Sequence, residues 1–359
     1  MAEAVRPERA PLRQLPILDG FLWLVRIAAI VAVVWGSWVS ISSGRLTGQQ
    51  WRNLIVFGVS QGSVYALIAL GYTMVYGVLR FINFAHGEVF MLGGMTAYFI
   101  TDGLARTGFW LSQPWLSLLI ALVAAMIVST LVAVALERVA YRPLRGKPRL
   151  IPFITAIGAS FFLQYATGGL FGVDFKSLPN TEALAGTVRF AGIQVVRPQL
   201  VVIITAIVMM IGLYFLVEKT KAGRAMRSVA EDAETAALMG VNVDRTISLV
   251  FAVGGAMAGA AGMLFALVFG QIDFFSGFVP GIKAFTAAVL GGIGNIPGAM
   301  LGGLTLGLVE SLGPSLVLTG LGVRGAHQLK DMVAFLVLVM VLIFRPTGIL
   351  GERLAEERA

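Results

Sequence analysis

Residues 200–217 read LVVIITAIVMMIGLYFLV, a stretch without a single charge. Coiled as a helix it covers about 27 Å at 1.5 Å per residue, close to the ~30 Å of a bilayer's hydrocarbon core. A helix that is apolar on every side has to face lipid or a deep core. Working outward, comparable stretches lie at 21–41, 53–78, 87–100, 115–136 and 150–171 upstream, and at 246–269 downstream. Residues 282–344 are also apolar but punctuated. Gly291-Gly292-Ile293-Gly294-Asn295-Ile296-Pro297-Gly298 cannot form one smooth helix, because Pro297 lacks an N–H and the glycines favour a turn. This reads as short helices on either side of the turn and a last span from Lys330 to Phe344, closed by Arg345-Pro346. The expected fold is all-α: a polytopic membrane protein with about 8–10 transmembrane helices, including broken or re-entrant segments.

Composition agrees. Of 359 residues 57% are hydrophobic and 13% charged, against roughly a quarter charged in soluble domains. Too few charges remain to clothe a soluble surface, so membrane lipid is an expected partner. The formal charge of +8 reflects basic cytoplasmic loops rather than nucleic-acid binding, since no basic stripe is interleaved with exposed aromatics. Cysteine is absent and the histidines are only His86 and His327, which argues against a disulfide framework, a thiolate metal site and a histidine-built zinc site. The 43 glycines suit helices that approach closely in lipid.

The loops set the orientation. Residues 137–149 carry Arg138, Arg142, Arg145, Lys147 and Arg149 against one acid, and residues 218–245 carry Lys219, Lys221, Arg224, Arg227 and Arg245. Both are expected on the cytoplasmic side, as is the amino terminus with Arg6, Arg9 and Arg13. The mixed-charge loop 172–199 between them is expected outside. Residues 1–45 read as an extension with an extra transmembrane or interfacial helix; Arg26 interrupts the apolar stretch and no clean small-x-small cleavage site follows. Residues 46–350 form the transmembrane domain, with the cytoplasmic loop 218–245 inside it, and 351–359 a short charged tail. No repeat of 20–50 residues is visible.

Three segments could carry function. In 71–94, GYTMVYGVLRFINFAHGEVFMLGG, the residues Arg80, Asn83, His86 and Glu88 interrupt apolar sequence, with Gly87 beside them and Gly93 beyond. Polar groups in a membrane are costly and face a cavity or one another. The segment reads either as a discontinuous helix beside a translocation path or as a short loop whose helix start is favoured by Glu88. In 222–245, AGRAMRSVAEDAETAALMGVNVDR, Asp232 reads as a helix cap and Gly240 as a helix stop. The short helix between them would project Ala236, Leu238 and Met239, either into a partner's groove or onto the membrane surface. In 283–313 small residues recur at close spacing and Glu310 stands in apolar sequence, as a buried functional acid or as the mark of a helix end near water.

These residues resemble a known family. GSVYALIALGYTMVYGVLRFINFAHGEVFMLGG (62–94), GRAMRSVAEDAETAALMGVNVDR (223–245) and KAFTAAVLGGIGNIPGAMLGGLTLGLVESLG (283–313) look like three ordered segments of the branched-chain amino-acid ABC permease family, the LivH-type subunit. The similarity runs from about Gln50 to Gly351, and the residues up to about Ser43 stand outside it. The resemblance implies a multi-pass protein of the bacterial inner membrane, one of two permease subunits (a heterodimer), working with two ATP-binding subunits and a periplasmic solute-binding protein. It implies a non-enzymatic translocation subunit without a cofactor of its own; the sequence has no GxxxxGK[ST] phosphate loop, and ATP and Mg would be bound by the partners. It makes Gly223, Arg224, Arg227, Glu231, Asp232, Ala236, Leu238, Met239 and Gly240 the ATPase-coupling candidates. Asn83, His86, Gly87, Glu88, Gly93 and Glu310 become the substrate-path candidates. The expected solutes are branched-chain or other hydrophobic amino acids; urea, short amides or aromatic acids are carried by relatives of the same architecture. The rival from another class is an ion-driven secondary transporter, for which Glu88 and Glu310 would be the charge relay.

Overall fold

The computed structural model describes residues 16–351 apart from 149, 191, 192 and 346; the readings of Arg6, Arg9, Arg13, Arg149, Pro346 and the tail beyond 351 lie outside the described residues. Its helices are α1 (Pro16–Ser42), α2 (Gly48–Leu79), α3 (His86–Arg106), α4 (Phe109–Ser112), α5 (Pro114–Leu136), α6 (Leu150–Phe171), α7 (Arg197–Lys219), α8 (Lys221–Glu231), α9 (Ala233–Leu238), α10 (Val243–Phe269), α11 (Phe278–Gly291), α12 (Ile296–Gly313) and α13 (Lys330–Phe344). Among the described residues eight helices are long and apolar enough to cross a membrane. α3 is as long as a span but carries Glu88, Asp102 and Arg106, while α11, at 14 residues, extends only about 21 Å. The protein is therefore a multi-pass, all-α membrane protein with one helix too short to span, in line with the short helices that the sequence predicts. Extended structure among the described residues amounts to two short antiparallel pairs: β1 (Lys176–Ser177) with β4 (Gln271–Ile272), and β2 (Thr187–Phe190) with β3 (Ile193–Val196). Both lie on the side opposite the basic loops.

α2 and α10 form the centre. Every residue of α2 from Ser60 to Val75 is buried, and α12, α3 and α5 pack around this pair. The contacts run through small residues, which let backbones approach where no hydrophobic driving force separates helix from lipid. A Cβ at Gly62 would lie 2.9 Å from the Gly303 carbonyl of α12, and one at Gly93 would lie 2.5 Å from the Gly259 Cα of α10. The outward faces of α1, α5, α6, α7 and α13 are apolar and exposed, as lipid- or partner-facing surfaces must be: Trp38, Leu131, Phe162, Val208 and Leu336 are examples.

The punctuated carboxyl-terminal stretch folds as read. α11 ends at Gly291; Gly292 (φ +106°) and Gly294 (φ +97°) turn the chain; Asn295 caps α12 by accepting from the Gly298 N–H at 2.9 Å. Pro297 sits in the first turn of α12, where its missing N–H is harmless. After α13, Ile349 and Leu350 donate backbone hydrogen bonds to Leu290 and Gly291 (2.8 and 3.0 Å), closing α11, α12 and α13 into one unit.

Candidate coupling and translocation sites

The basic segment after α7 folds into a compact knuckle. Thr220 caps α8, accepting from the Gly223 N–H at 3.0 Å. Gly223, Met226 and Val229 bury one face of α8. Asp232 ends α8 and caps α9, its Oδ1 accepting from Glu234 N (2.9 Å) and Thr235 N (3.1 Å). The Thr235 side chain and backbone, with the Glu234 N–H, hold the Asp232 carboxyl below the usual carboxylate range. Gly240, at φ +84°, reverses the chain after α9, and Asn242 caps α10 through Arg245 N.

Of the three apolar residues expected to project, Ala236 turns inward and is buried, so it is corrected to an anchor of the knuckle. Leu238 and Met239 stand out, 87% and 81% exposed. Arg227 is also redirected: it pairs with Glu218 at 3.0 Å and donates to the Val217 carbonyl at 2.5 Å, satisfying the carboxyl end of α7. Arg224 and Glu231 are exposed.

Two ties join the knuckle to the membrane core. Arg80, the residue that ends α2 in the left-handed conformation (φ +55°), donates to the Ala230 carbonyl of α8 at 2.8 Å. The second runs through the end of α5, where residues 137–141 form a π-turn. Glu137 there is fully buried. It accepts from Arg142 (3.2 Å), Arg145 and the Ser248 hydroxyl of α10 (2.7 Å), and Arg145 also pairs with Asp244 in the first turn of α10. Four residues on, the Tyr141 hydroxyl donates to Asn83 Oδ1 at 2.6 Å. The start of α10, the end of α5 and the α2–α3 break are thus one hydrogen-bonded assembly.

The break itself spans residues 80–85, and the six path candidates do not share one wall. Asn83 is held by Tyr141. His86 lies on Tyr72 with ring centroids 4.8 Å apart, in the space that the missing Gly71 side chain leaves. Gly87 packs on Gly277 and Gly281 at the start of α11, and Gly93 serves the α3–α10 crossing. Glu88 lines a cavity of about 190 Å³ between α3, α6 and α11.

Glu310 lies elsewhere and is paired, so the helix-end reading does not hold. It is buried in α12, its Oε1 2.7 Å from the Nζ of Lys283 in α11, and it accepts from Gln61 Nε2 (3.0 Å) and the Tyr65 hydroxyl (2.9 Å), both in α2. Lys283 also reaches Asp331 of α13 at 2.6 Å. Four helices meet on these charges, which makes Glu310 a structural tie rather than a free acid. The sequence reading misses Lys283 as its partner; the one available signal is that two opposite charges in otherwise apolar segments have to find each other in a membrane. Glu137 gave a weaker signal, as the lone acid in a basic loop. Ser160 and Tyr141 gave none.

These features define a class: a multi-pass membrane protein with a short, buried helix at its core and an apolar knob on its basic face. The chain belongs to the branched-chain amino acid transport system permease component family, whose match covers residues 54–342. It is 45% identical over 303 residues to the high-affinity branched-chain amino acid transport system permease protein BraD of Pseudomonas aeruginosa (strain PAO1), covering 83% of this chain and 95% of that one. It is 44% identical over 298 residues to the corresponding permease protein LivH of Escherichia coli (strain K12), covering 82% and 94%. A shorter similarity, 34% over 142 residues and 38% of each chain, joins it to the autoinducer 2 import system permease protein LsrC of Yersinia pestis (strain Pestoides F).

Proposed function

We propose that this chain is the permease subunit of an ATP-driven importer of branched-chain or other hydrophobic amino acids in a bacterial inner membrane. It works beside a second permease, with two ATP-binding subunits on the cytoplasmic face and a periplasmic solute-binding protein on the other. The observation that carries the reading is the pair Leu238 and Met239, both more than four-fifths exposed on a knuckle that basic sequence assigns to the cytoplasm. Two large apolar side chains held in water by a capped helix suit a groove in a partner protein. Arg224 and Glu231 beside them suit polar contacts at the groove's rim, which fix register more than affinity.

The mechanism follows from the ties. ATP binding closes the two ATPase chains on each other and moves the knuckle seated in them. Through Arg80, and through Asp244–Arg145–Glu137 and Tyr141–Asn83, that movement reaches the α2–α3 break, where the membrane core exchanges outward and inward access. Each step shifts a pre-existing equilibrium by binding one state better than the other. The solutes named for the relatives of 44–45% identity support the amino-acid assignment; the similarity to an autoinducer 2 permease supports assigning fine selectivity to the binding protein rather than to this scaffold. The test is gentle extraction of the tagged chain and identification of what copurifies. ATPase chains carrying a phosphate loop, together with a second permease, support the reading. A chain that comes out alone under conditions that preserve known transporter complexes defeats it, and brings forward the ion-driven rival.

A further inference from the structure

The cavity beside Glu88 has the chemistry of a small-cation subsite. Glu88 is 1% exposed. Its Oε1 accepts from the Ser160 hydroxyl of α6 at 3.2 Å, while its Oε2 has no hydrogen-bond partner. That oxygen lies over the Cα of Gly277, where a Cβ would come within 2.5 Å of it. Apart from the Tyr72 and Ser160 hydroxyls, the rest of the wall is apolar, with Phe84, Ile157, Phe161, Phe278 and Ile282.

A buried carboxylate oxygen without a donor is costly. The amino-terminal dipoles of α3 and α11 favour its charge but supply it no N–H. What the site lacks is a donor carried by something small. At about 190 Å³ the space is below the ~300 Å³ at which drug-sized sites begin. A lone carboxylate among apolar side chains suits an organic ammonium better than a divalent metal ion, for which no group of three or more His, Cys, Asp or Glu side chains exists among the described residues. The apolar wall asks for a hydrocarbon attached to that ammonium.

We propose that Glu88 receives the α-ammonium group of an amino acid in transit, with the aliphatic side chain lying against Ile157, Phe161 and Ile282. The inference rests on the reading of the chain as an amino-acid permease. The first turn of α11, at Phe278, borders the same cavity and offers the positive end of its dipole to the α-carboxylate. The solute thereby exchanges the water acceptors of its ammonium for Glu88 Oε2, and the water donors of its carboxylate for one helix terminus. Branched aliphatic side chains are favoured by the wall, and a solute lacking the ammonium leaves Oε2 unpaired.

The test uses the whole complex in proteoliposomes, with photo-leucine, a leucine analogue carrying a diazirine, as the probe. Irradiation during turnover should label peptides containing Ile157–Phe161 and Gly277–Ile282. Excess leucine should compete the label away, and 4-methylpentanoate, which lacks the ammonium, should not. E88Q should still copurify with its partners but lose leucine uptake about 10- to 100-fold, the worth of one buried charge-assisted hydrogen bond; E88D, which keeps the carboxylate, should recover part of it. I157W, which fills the cavity without touching Glu88, should also lower uptake. Normal uptake by E88Q and I157W, or label found only on other helices, overturns the subsite and leaves the permease reading standing. Failure of the wild-type complex to carry leucine at all would remove both.

Discussion

Replacing Lys283 by methionine (K283M) keeps the length of the side chain and deletes its charge. Lys283 and Glu310 are 5% and 1% exposed at the side chain and 2.7 Å apart, while Asp331, the second partner of Lys283, is 47% exposed. Removing one member of a buried pair leaves an uncompensated buried charge and costs about 3–5 kcal/mol. Gln61 and Tyr65 continue to donate to Glu310, which argues for the lower half of that range. E310Q should cost less, about 1–3 kcal/mol, because Lys283 keeps its half-exposed partner. The double variant K283M/E310Q has no orphan charge and should recover about 2 kcal/mol or more relative to the sum of the single losses. D331N should cost only about 0–1 kcal/mol, as exposed pairs do. The assay is unfolding of the purified chain in mixed micelles by titrated detergent, followed by tryptophan fluorescence. A cycle that is additive within about 0.5 kcal/mol, or a D331N loss as large as that of K283M, would refute the assignment of Glu310 as the essential partner.

Three further outcomes follow from the same geometry. L238D sets a carboxylate where a partner's apolar groove is expected; the permease should insert normally while ATP-driven leucine uptake falls at least about tenfold, from the lost burial of a leucine alone, and normal uptake would remove α9 from the coupling path. G93A forces a methyl against the Gly259 backbone, which cannot give, and should cost about 1–3 kcal/mol. G103A, in the same helix with open space beside it, should be neutral or stabilising by up to about 1 kcal/mol; equal effects of these two on the yield of folded protein would show that the α3–α10 approach is not tight. Y141F removes the hydroxyl held by Asn83 and should leave assembly intact while lowering the uptake achieved per ATP hydrolysed; an unchanged ratio would break the proposed tie between α5 and the α2–α3 break.

Much of this architecture was legible because a membrane makes the rules strict. Spans, the turn at 291–298, the interruption within 71–94 and the caps at Asp232 and Gly240 all follow from length, apolarity and the special backbone needs of glycine, proline and aspartate. Their local causes are contained in a few adjacent residues. What the sequence concealed was the pairing of polar groups between helices. Glu310 looked like an isolated acid because Lys283 is 27 positions away and becomes its neighbour only when α11 folds back on α12. Ala236 looked like part of a projecting face because a six-residue helix has too few turns to reveal which side is packed. Glu88 looked like one of a polar cluster, yet Asn83 and His86 beside it are each satisfied by, or stacked on, another helix. A single residue of rotation at a helix start separates a group that lines a cavity from one that packs.

On the proposed mechanism, energy enters this chain through Leu238 from an ATP-hydrolysing partner. Because the sequence contains no cysteine, L238C carries a unique thiol to which a photocrosslinker can be attached in the assembled complex. Irradiation should capture a chain bearing a phosphate loop, with a yield that changes between the nucleotide-free and ATP-bound states. A complex that drives leucine uptake with ATP while residue 238 captures only lipid, or captures no ATP-binding chain, would contradict the account.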